Sequence, residues 1–311
     1  MDTDDRRSVL VTGGRGFIGR AVGKLLQRTG YKVVSLDVVP LMTGPPKTRP
    51  AVENELLCDL TDARSLRHVF ETRHIGGIIH LAAILPTAAQ RDPVRATQVN
   101  VMGSLHLLAL AQRFEVKRFV FGSSLSVYGT CCADRFVSEA DRAAPEDLYG
   151  AAKLYVEQLG EAYRESHGLG FTSLRIGRVV GTGAESTTSA WRSEIFEKIE
   201  STDASEILLP YVGSERILLV HGDDVAKMLV LLLQATCPAH GVYNAACESV
   251  IVSDLKREVE CLNSKVRVRL GEKFAVGNPR LLNSNRFREE FGFQTQPVLE
   301  QLRRAVERGR L

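Results

Sequence analysis

The sequence predicts a doubly wound α/β fold, with helices on both faces of a parallel sheet and a smaller C-terminal domain. Three observations carry that prediction. An apolar strand runs into a glycine-rich loop that opens a helix, short β-branched runs alternate with amphipathic stretches, and 311 residues exceed one ordinary domain. Strands are expected over 9–11, 32–36, 56–58, 77–81, 118–122 and 172–176, and helices over 17–28, 63–72, 94–113 and 148–167. After the sixth strand an irregular stretch rich in Gly, Ser and Thr, 181–192, leads into a helix over 191–199. A strand over 217–221, a helix over 224–235 and a strand over 241–245 are expected to return to the large domain. The large domain is therefore assigned to 1–176 and 216–247, and the smaller one to 177–215 and 248–311.

The loop is the most informative segment. Thr12-Gly13-Gly14-Arg15-Gly16-Phe17-Ile18-Gly19 contains Gly14-x-Gly16-x-x-Gly19, the spacing of the Rossmann dinucleotide loop. One glycine makes the strand-to-helix turn, the next admits phosphate to the backbone, and the third lets helix and strand pack closely. Gly13, Gly16 and Gly19, with Phe17 and Ile18 at the helix start, are the candidate pyrophosphate contacts. Asp37 closes the second strand about 20 residues on, where a carboxylate accepts the ribose hydroxyls of NAD and repels a 2′-phosphate. No Arg or Lys follows it in Val38-Val39-Pro40, so NAD is expected over NADP, with Arg15 the one residue that could soften the preference.

Bulk composition excludes several classes. A hydrophobic fraction of 44%, a charged fraction of 25% and a net charge of +3 describe an ordinary globular chain with no electrostatic case for nucleic acid or a membrane surface. The polar start Met1-Asp2-Thr3-Asp4-Asp5-Arg6-Arg7 has no signal-peptide core, and no run is long enough to span a bilayer, so a cytoplasmic protein is expected. Six cysteines (Cys58, Cys131, Cys132, Cys237, Cys247, Cys261) and seven histidines lack metal-ligand spacing, and no metal site is expected.

The chemistry is expected at Tyr149 and Lys153, four apart on one helix face. A phenol of ordinary pKa about 10 is a poor base at neutral pH, and a neighbouring ammonium draws it toward the working range. Ser124 and Ser126 follow the fifth strand, so their hydroxyls emerge at the carboxyl edge of the sheet, where Ser124 would bond the reacting substrate oxygen.

Together these residues resemble the extended short-chain dehydrogenase/reductases, the NAD-dependent epimerase/dehydratase family, over nearly the whole chain. Asp59-Leu60 is similar to the family's adenine-contacting pair, and His80-Leu81-Ala82-Ala83 to its segment running past the cofactor. Val99-Asn100-Val101-Met102-Gly103 is similar to a motif whose Asn supports the lysine. The resemblance implies that Tyr149 takes a hydroxyl proton as hydride moves to the nicotinamide, while Lys153 steadies the tyrosinate and binds the ribose, and Ser124 orients the oxygen. An epimerase returns the hydride to the other face; a dehydrogenase releases ketone and NADH. The resemblance also implies a homodimer built on the helices 94–113 and 148–167, with Leu107, Leu108, Leu154 and Leu159 either at that interface or packed on the sheet.

Departures narrow the reaction. Leu125 and Ser126 stand where dehydratases and decarboxylases of this branch carry acids, which favours a 4-epimerase. The family's Leu-Arg-x-x-Asn reads Leu174-Arg175-Ile176-Gly177-Arg178, and its phosphate-gripping Arg-Asp reads Arg216 to Leu218, one position displaced. Arg178, Arg216 and Arg280 could still supply charge near a diphosphate. The expected function is a nucleotide-sugar 4-epimerase; the alternative is an NAD-dependent dehydrogenase of a small sugar acid, polyol or amino alcohol, and a non-catalytic NAD-binding regulator comes third.

Overall fold

The computed structural model describes residues 8–38, 54–130, 135–183 and 189–309. Residues 1–7, Val39, Pro40, Cys131, Cys132, Thr187 and Thr188 lie outside the described residues. In chain order the elements are β1 (Ser8–Thr12), α1 (Phe17–Arg28), β2 (Lys32–Asp37), β3 (Glu55–Leu57), α2 (Ala63–Thr72), β4 (Gly77–His80), α3 (Pro86–Arg91), α4 (Pro93–Thr97), α5 (Ser104–Arg113), β5 (Arg118–Ser124), α6 (Leu148–His167) and β6 (Phe171–Ile176). They continue with β7 (Arg178–Val180), α7 (Trp191–Glu197), β8 (Ser205–Tyr211), β9 (Arg216–His221), α8 (Gly222–Gln234), β10 (Val242–Asn244), β11 (Glu248–Ile251), α9 (Val252–Leu262), β12 (Val266–Lys273), α10 (Asn285–Phe291) and α11 (Val298–Gly309).

Seven strands form one sheet in the order β3-β2-β1-β4-β5-β6-β10, and every pairing is parallel. The order reverses between β1 and β4, which opens a crevice at their carboxyl ends where such sheets bind ligands. The strands here are buried on both faces, and in β1 Val9, Leu10 and Val11 are all core. One face packs with α1 and α8, through Val22, Leu26, Val225 and Leu229. The other packs with α2, α5 and α6, through Leu66, Leu107, Leu108 and Val156.

A second core lies around α7, α9 and α11 with the two-stranded sheet β12-β8. Strand β9 belongs to a three-stranded sheet, β11-β9-β7, and its alternating side chains serve both cores. Ile217 and Leu219 enter the smaller core and Leu218 and Val220 the larger. Helix α8 lies on the large sheet, and β10 forms its edge.

Local signals explain the elements that hold the site. Helix α1 buries Gly19, Val22, Gly23 and Leu26, a stripe at helical period. Helix α6 begins at Asp147, whose carboxylate accepts from the Gly150 amide at 2.6 Å, and stops at Gly168 in the left-handed region. Where the sequence predicts one helix over 94–113, the chain makes α4 and α5 joined by a π-helical turn, Gln98–Gly103. The extra residue of that turn leaves the hydrophobic period nearly intact, which is why the pattern does not reveal it. Leu107 and Leu108 are fully buried, while Val94, Met102, Leu148 and Tyr155 carry the exposed apolar surface of these helices.

Candidate active site

The glycine loop leaves β1 at Gly13, whose φ of +66° is a conformation glycine adopts without strain. A side chain there would meet the Ala82 amide nitrogen at 2.8 Å, so the loop and the segment after β4 touch through backbone alone. A Cβ on Gly19 would sit 2.1 Å from Gly13 O, which is how closely α1 packs under the turn. Gly16 caps α1, with no side-chain cap and no acid in the first turn, and a Cβ on it would meet nothing nearer than Gly13 O at 3.1 Å. The first-turn amides of Phe17 and Ile18 are thus left for a ligand. This cradle fits a pyrophosphate.

Asp37 stands at the end of β2, accepting from the Arg15 amide at 3.0 Å and from the Val38 amide at 2.8 Å. Arg15 turns its guanidinium to Glu55 at 2.7 Å, so the loop's one cation is engaged by a carboxylate. Asp59 follows β3 and is held by Thr61 and Arg95. Burial works against its charge, but those hydrogen bonds keep its carboxyl below the usual range. Leu60 is buried in the core, and its side chain packs on Gly103 of the π turn.

Beneath the crevice runs a buried chain of hydrogen bonds. Thr12 Oγ1 lies 2.6 Å from His80 Nδ1, His80 Nε2 lies 2.8 Å from Ser104 Oγ, and Ser104 donates to Asn100 O at 2.7 Å. With its proton given to Asn100, Ser104 must accept from Nε2–H, which leaves Nδ1 to accept from Thr12. This assigns the tautomer from the network. Burial, helped by Lys153, pulls the imidazole pKa down to about 3, so His80 is neutral. The Leu81 and Ala82 amides point back to Thr12 Oγ1 at 3.2 and 3.3 Å. Asn100 clamps the next residues, accepting from the Ile84 amide at 2.7 Å and donating to its carbonyl at 2.9 Å. Ala83 lies between these two anchors.

Tyr149 and Lys153 lie on the same side of α6, which packs over β5 and β6. The Lys153 ammonium donates to Gly122 O at 2.7 Å and sits 4.5 Å from the Phe121 ring centre and 5.5 Å from that of Tyr149. Ser124 hydrogen-bonds Tyr149, and its Oγ lies 3.1 Å from Ser126 Oγ. The sequence predicts that Lys153 draws the phenol down, but burial moves each group away from its charged form. Burial pushes Tyr149 up to about 12, against the lowering hydrogen bond from Ser124. Burial likewise drops Lys153 to about 7, with Glu157 opposing.

Glu157, one turn beyond Lys153, has no part in the sequence argument although its spacing offers the signal. It accepts from Ser123 at 2.5 Å and pairs with buried Arg175 at 2.6 Å, and Arg175 donates to Tyr128 at 2.7 Å. Arg178 opens β7 and is buried beside the Tyr211 ring and Val276 O. Arg280 instead lies 3.0 Å from the buried carboxylate of Glu215, an ion pair without hydrogen-bond geometry. Arg216 opens β9, where its amide donates to Glu215. Arg192, near the start of α7, is a residue with no signal in the sequence; packing of α7 into the small core sets it where its charge acts on Tyr149.

The sequence model of the NAD dependent epimerase/dehydratase family matches residues 9–246. The chain belongs to that family. NAD is accordingly its cofactor. The chain is 30% identical over 220 residues to UDP-glucose 4-epimerase of Lacticaseibacillus casei, an alignment covering 70% of this chain and 63% of that protein's length. It is 23% identical over 261 residues to mitochondrial L-threonine 3-dehydrogenase of Bos taurus, covering 82% of this chain and 68% of the relative. Among solved structures, the UDP-glucose 4-epimerase of Thermus thermophilus in complex with NAD superposes with a TM-score of 0.80 at 25% identity, covering 97% of this chain and 99% of that one. No helix among the described residues is long and apolar enough to cross a membrane.

Proposed function

We propose that the protein is an NAD-dependent dehydrogenase that oxidises a secondary alcohol of a small hydroxylated compound. The observation that carries this reading is on the substrate side of the cleft. Arg280 is committed to buried Glu215, and Leu218 is core where the resemblance would have an acid, so two of the positions a nucleotide diphosphate would use offer it nothing. The alignment to the bovine threonine dehydrogenase also runs over more of this chain than the alignment to the bacterial epimerase.

Bound NAD supplies the acceptor for the hydride that leaves the carbinol carbon. The chain's own residues do the rest. Gly13, Gly16, Phe17, Ile18 and Gly19 hold the pyrophosphate, Asp37 the adenosine ribose, and Asp59, Leu60, Leu81, Ala82, Ala83 and Asn100 shape the path between. Ser124 donates to the substrate oxygen, Tyr149 takes its proton, and Lys153 and Arg192 are the cations that steady the phenolate.

A nucleotide-sugar 4-epimerase is the second reading, supported by the higher identity to the bacterial epimerase and by the paired hydroxyls of Ser124 and Ser126. A homodimer accompanies either reading, supported by the exposed Val94, Met102, Leu148 and Tyr155. Incubation with NAD and a panel of polyols, aldonates, L-threonine and UDP-hexoses, followed at 340 nm and by NMR, separates the two. NADH build-up on a small substrate is the expected result; inversion of a UDP-hexose without net NADH would establish the epimerase instead.

A further inference from the structure

Arg178 and Arg192 act on one another near Tyr211, and neither has an acidic ion-pair partner among the described residues. Arg178 is buried at 8% exposure, its guanidinium 5.8 Å from the Tyr211 ring centre and its Nη2 3.4 Å from Val276 O. Arg192 comes from the opposite side, half-buried, 5.8 Å from the Trp191 ring centre, and donates to the Tyr211 hydroxyl. Its Nε is buried without a hydrogen-bond partner. Among the described residues the groups that act most on Arg192 are Arg178, Tyr211 and Tyr149, none of them a carboxylate. Burial first, and Arg178 next, pull its pKa down to about 10. Two guanidiniums sharing a poorly hydrated site repel each other and lack the counter-charge that buried ions ordinarily have. Tyr211 lies near both, so the two cations share one neighbour, and the charge of Arg192 is felt at Tyr149, the phenol that meets the reacting hydroxyl.

We infer that Arg178 and Arg192 form an anion subsite that takes a carboxylate carried close to the carbon being oxidised, so that the substrate is a small hydroxy acid or hydroxy amino acid. The inference rests on the dehydrogenase reading. A planar carboxylate offers two oxygens to the two guanidinium forks, and its charge supplies what the pair lacks. Nearness to Tyr149 favours it over a diphosphate, which a sugar ring would hold away from the reacting C4.

The test uses the full-length protein with saturating NAD, as wild type, Arg178→Gln and Arg192→Gln. Malonate serves as the carboxylate probe and inorganic pyrophosphate as the diphosphate probe in thermal melts. L-threonine and D-gluconate, each with its uncharged amide, serve as substrates read by NADH formation. Malonate should raise the wild-type melting temperature and leave both variants unmoved. Arg192→Gln should raise the KM of the oxidised acid by about 30- to 100-fold, the loss of a charged hydrogen bond, and abolish the preference for acid over amide. Without any anion Arg192→Gln should melt higher than wild type, because it relieves the repulsion with Arg178; a merely structural arginine would do the reverse. Stabilisation by pyrophosphate and not by malonate, or by neither, overturns the carboxylate subsite. Oxidation of neutral polyols with KM unchanged in Arg192→Gln also overturns it while leaving the dehydrogenase standing. Inversion of UDP-galactose without NADH brings down the dehydrogenase instead.

Discussion

Replacing Lys153 with methionine should make the NAD-free protein more stable at neutral pH, by an amount that shrinks as pH rises. Lys153 is 3% exposed, and burial drops its pKa from 10.5 to about 7. That separation corresponds to ~5 kcal/mol held against the folded state when both states carry the proton. The sign follows from proton counting. Between pH 7 and 10.5 the unfolded chain keeps a proton the native lysine has lost, so wild-type stability climbs by about 1.4 kcal/mol per pH unit through that window. Below pH 7 the penalty stands in full. The side chain also contributes favourably. Its hydrogen bond to Gly122 O is worth ~1 kcal/mol and its contact with the Phe121 ring ~1–2 kcal/mol, and both disappear in Lys153→Met. The net expectation is a gain of ~2–3 kcal/mol at pH 6 that has nearly vanished by pH 9. Urea unfolding of both proteins at pH 6, 7.5 and 9 measures it. A variant less stable at pH 6, or a difference that does not move with pH, would refute the claim that this lysine is buried against its charge.

Other expectations concern the cofactor and the reaction. Tyr149→Phe should lower turnover ~10²–10⁴-fold while NAD binding, followed by fluorescence titration, stays as in wild type; retained turnover would remove the phenol from the chemistry. Asp37→Ala should weaken NAD by about tenfold or more and narrow its advantage over NADP, and an unchanged ratio would place the ribose elsewhere. Gly19→Ala drives a methyl to 2.1 Å from Gly13 O and should cost ~1–3 kcal/mol along with NAD affinity. Gly23→Ala, four residues on with Val33 Cγ1 at 3.9 Å, should gain ~0.5–1 kcal/mol. Equal melting temperatures for those two variants would sink the packing argument for the loop.

What the sequence makes legible is what local chemistry dictates. The bounds of α6 can be read directly, because Asp147 and Gly168 are capping signals that act within a turn. The alternation of strands and helices gives the parallel sheet, and the glycine spacing gives its crevice. The π turn escapes because one inserted residue barely disturbs an apolar period. The pairing of β9 with β7 and β11 escapes for another reason: a strand that feeds two cores is apolar on both faces, just like a central strand of the large sheet. Arg192 is hidden by distance along the chain, since only the packing of Trp191, Ile195 and Phe196 into the smaller core sets it where its charge reaches Tyr149. The fate of Arg280 is equally non-local, settled by the carboxylate of Glu215.

The chain from Thr12 through His80 and Ser104 to Asn100 has a direction, because each hydroxyl has one proton to give and the imidazole between them is neutral. Sliding β1 relative to β4, or unwinding the π turn, would strand a buried donor or acceptor at ~1–3 kcal/mol each. The glycine loop, the 81–84 segment and the helix that bears Asn100 therefore move as one block, with a single imidazole as the dowel through it. A cleft with so stiff a floor can change what it accepts only through its other wall, the layer of Arg178, Arg192, Tyr211 and Val276 set by the smaller core. Drift in substrate preference should accordingly be recorded in those residues, while the cofactor side stays still.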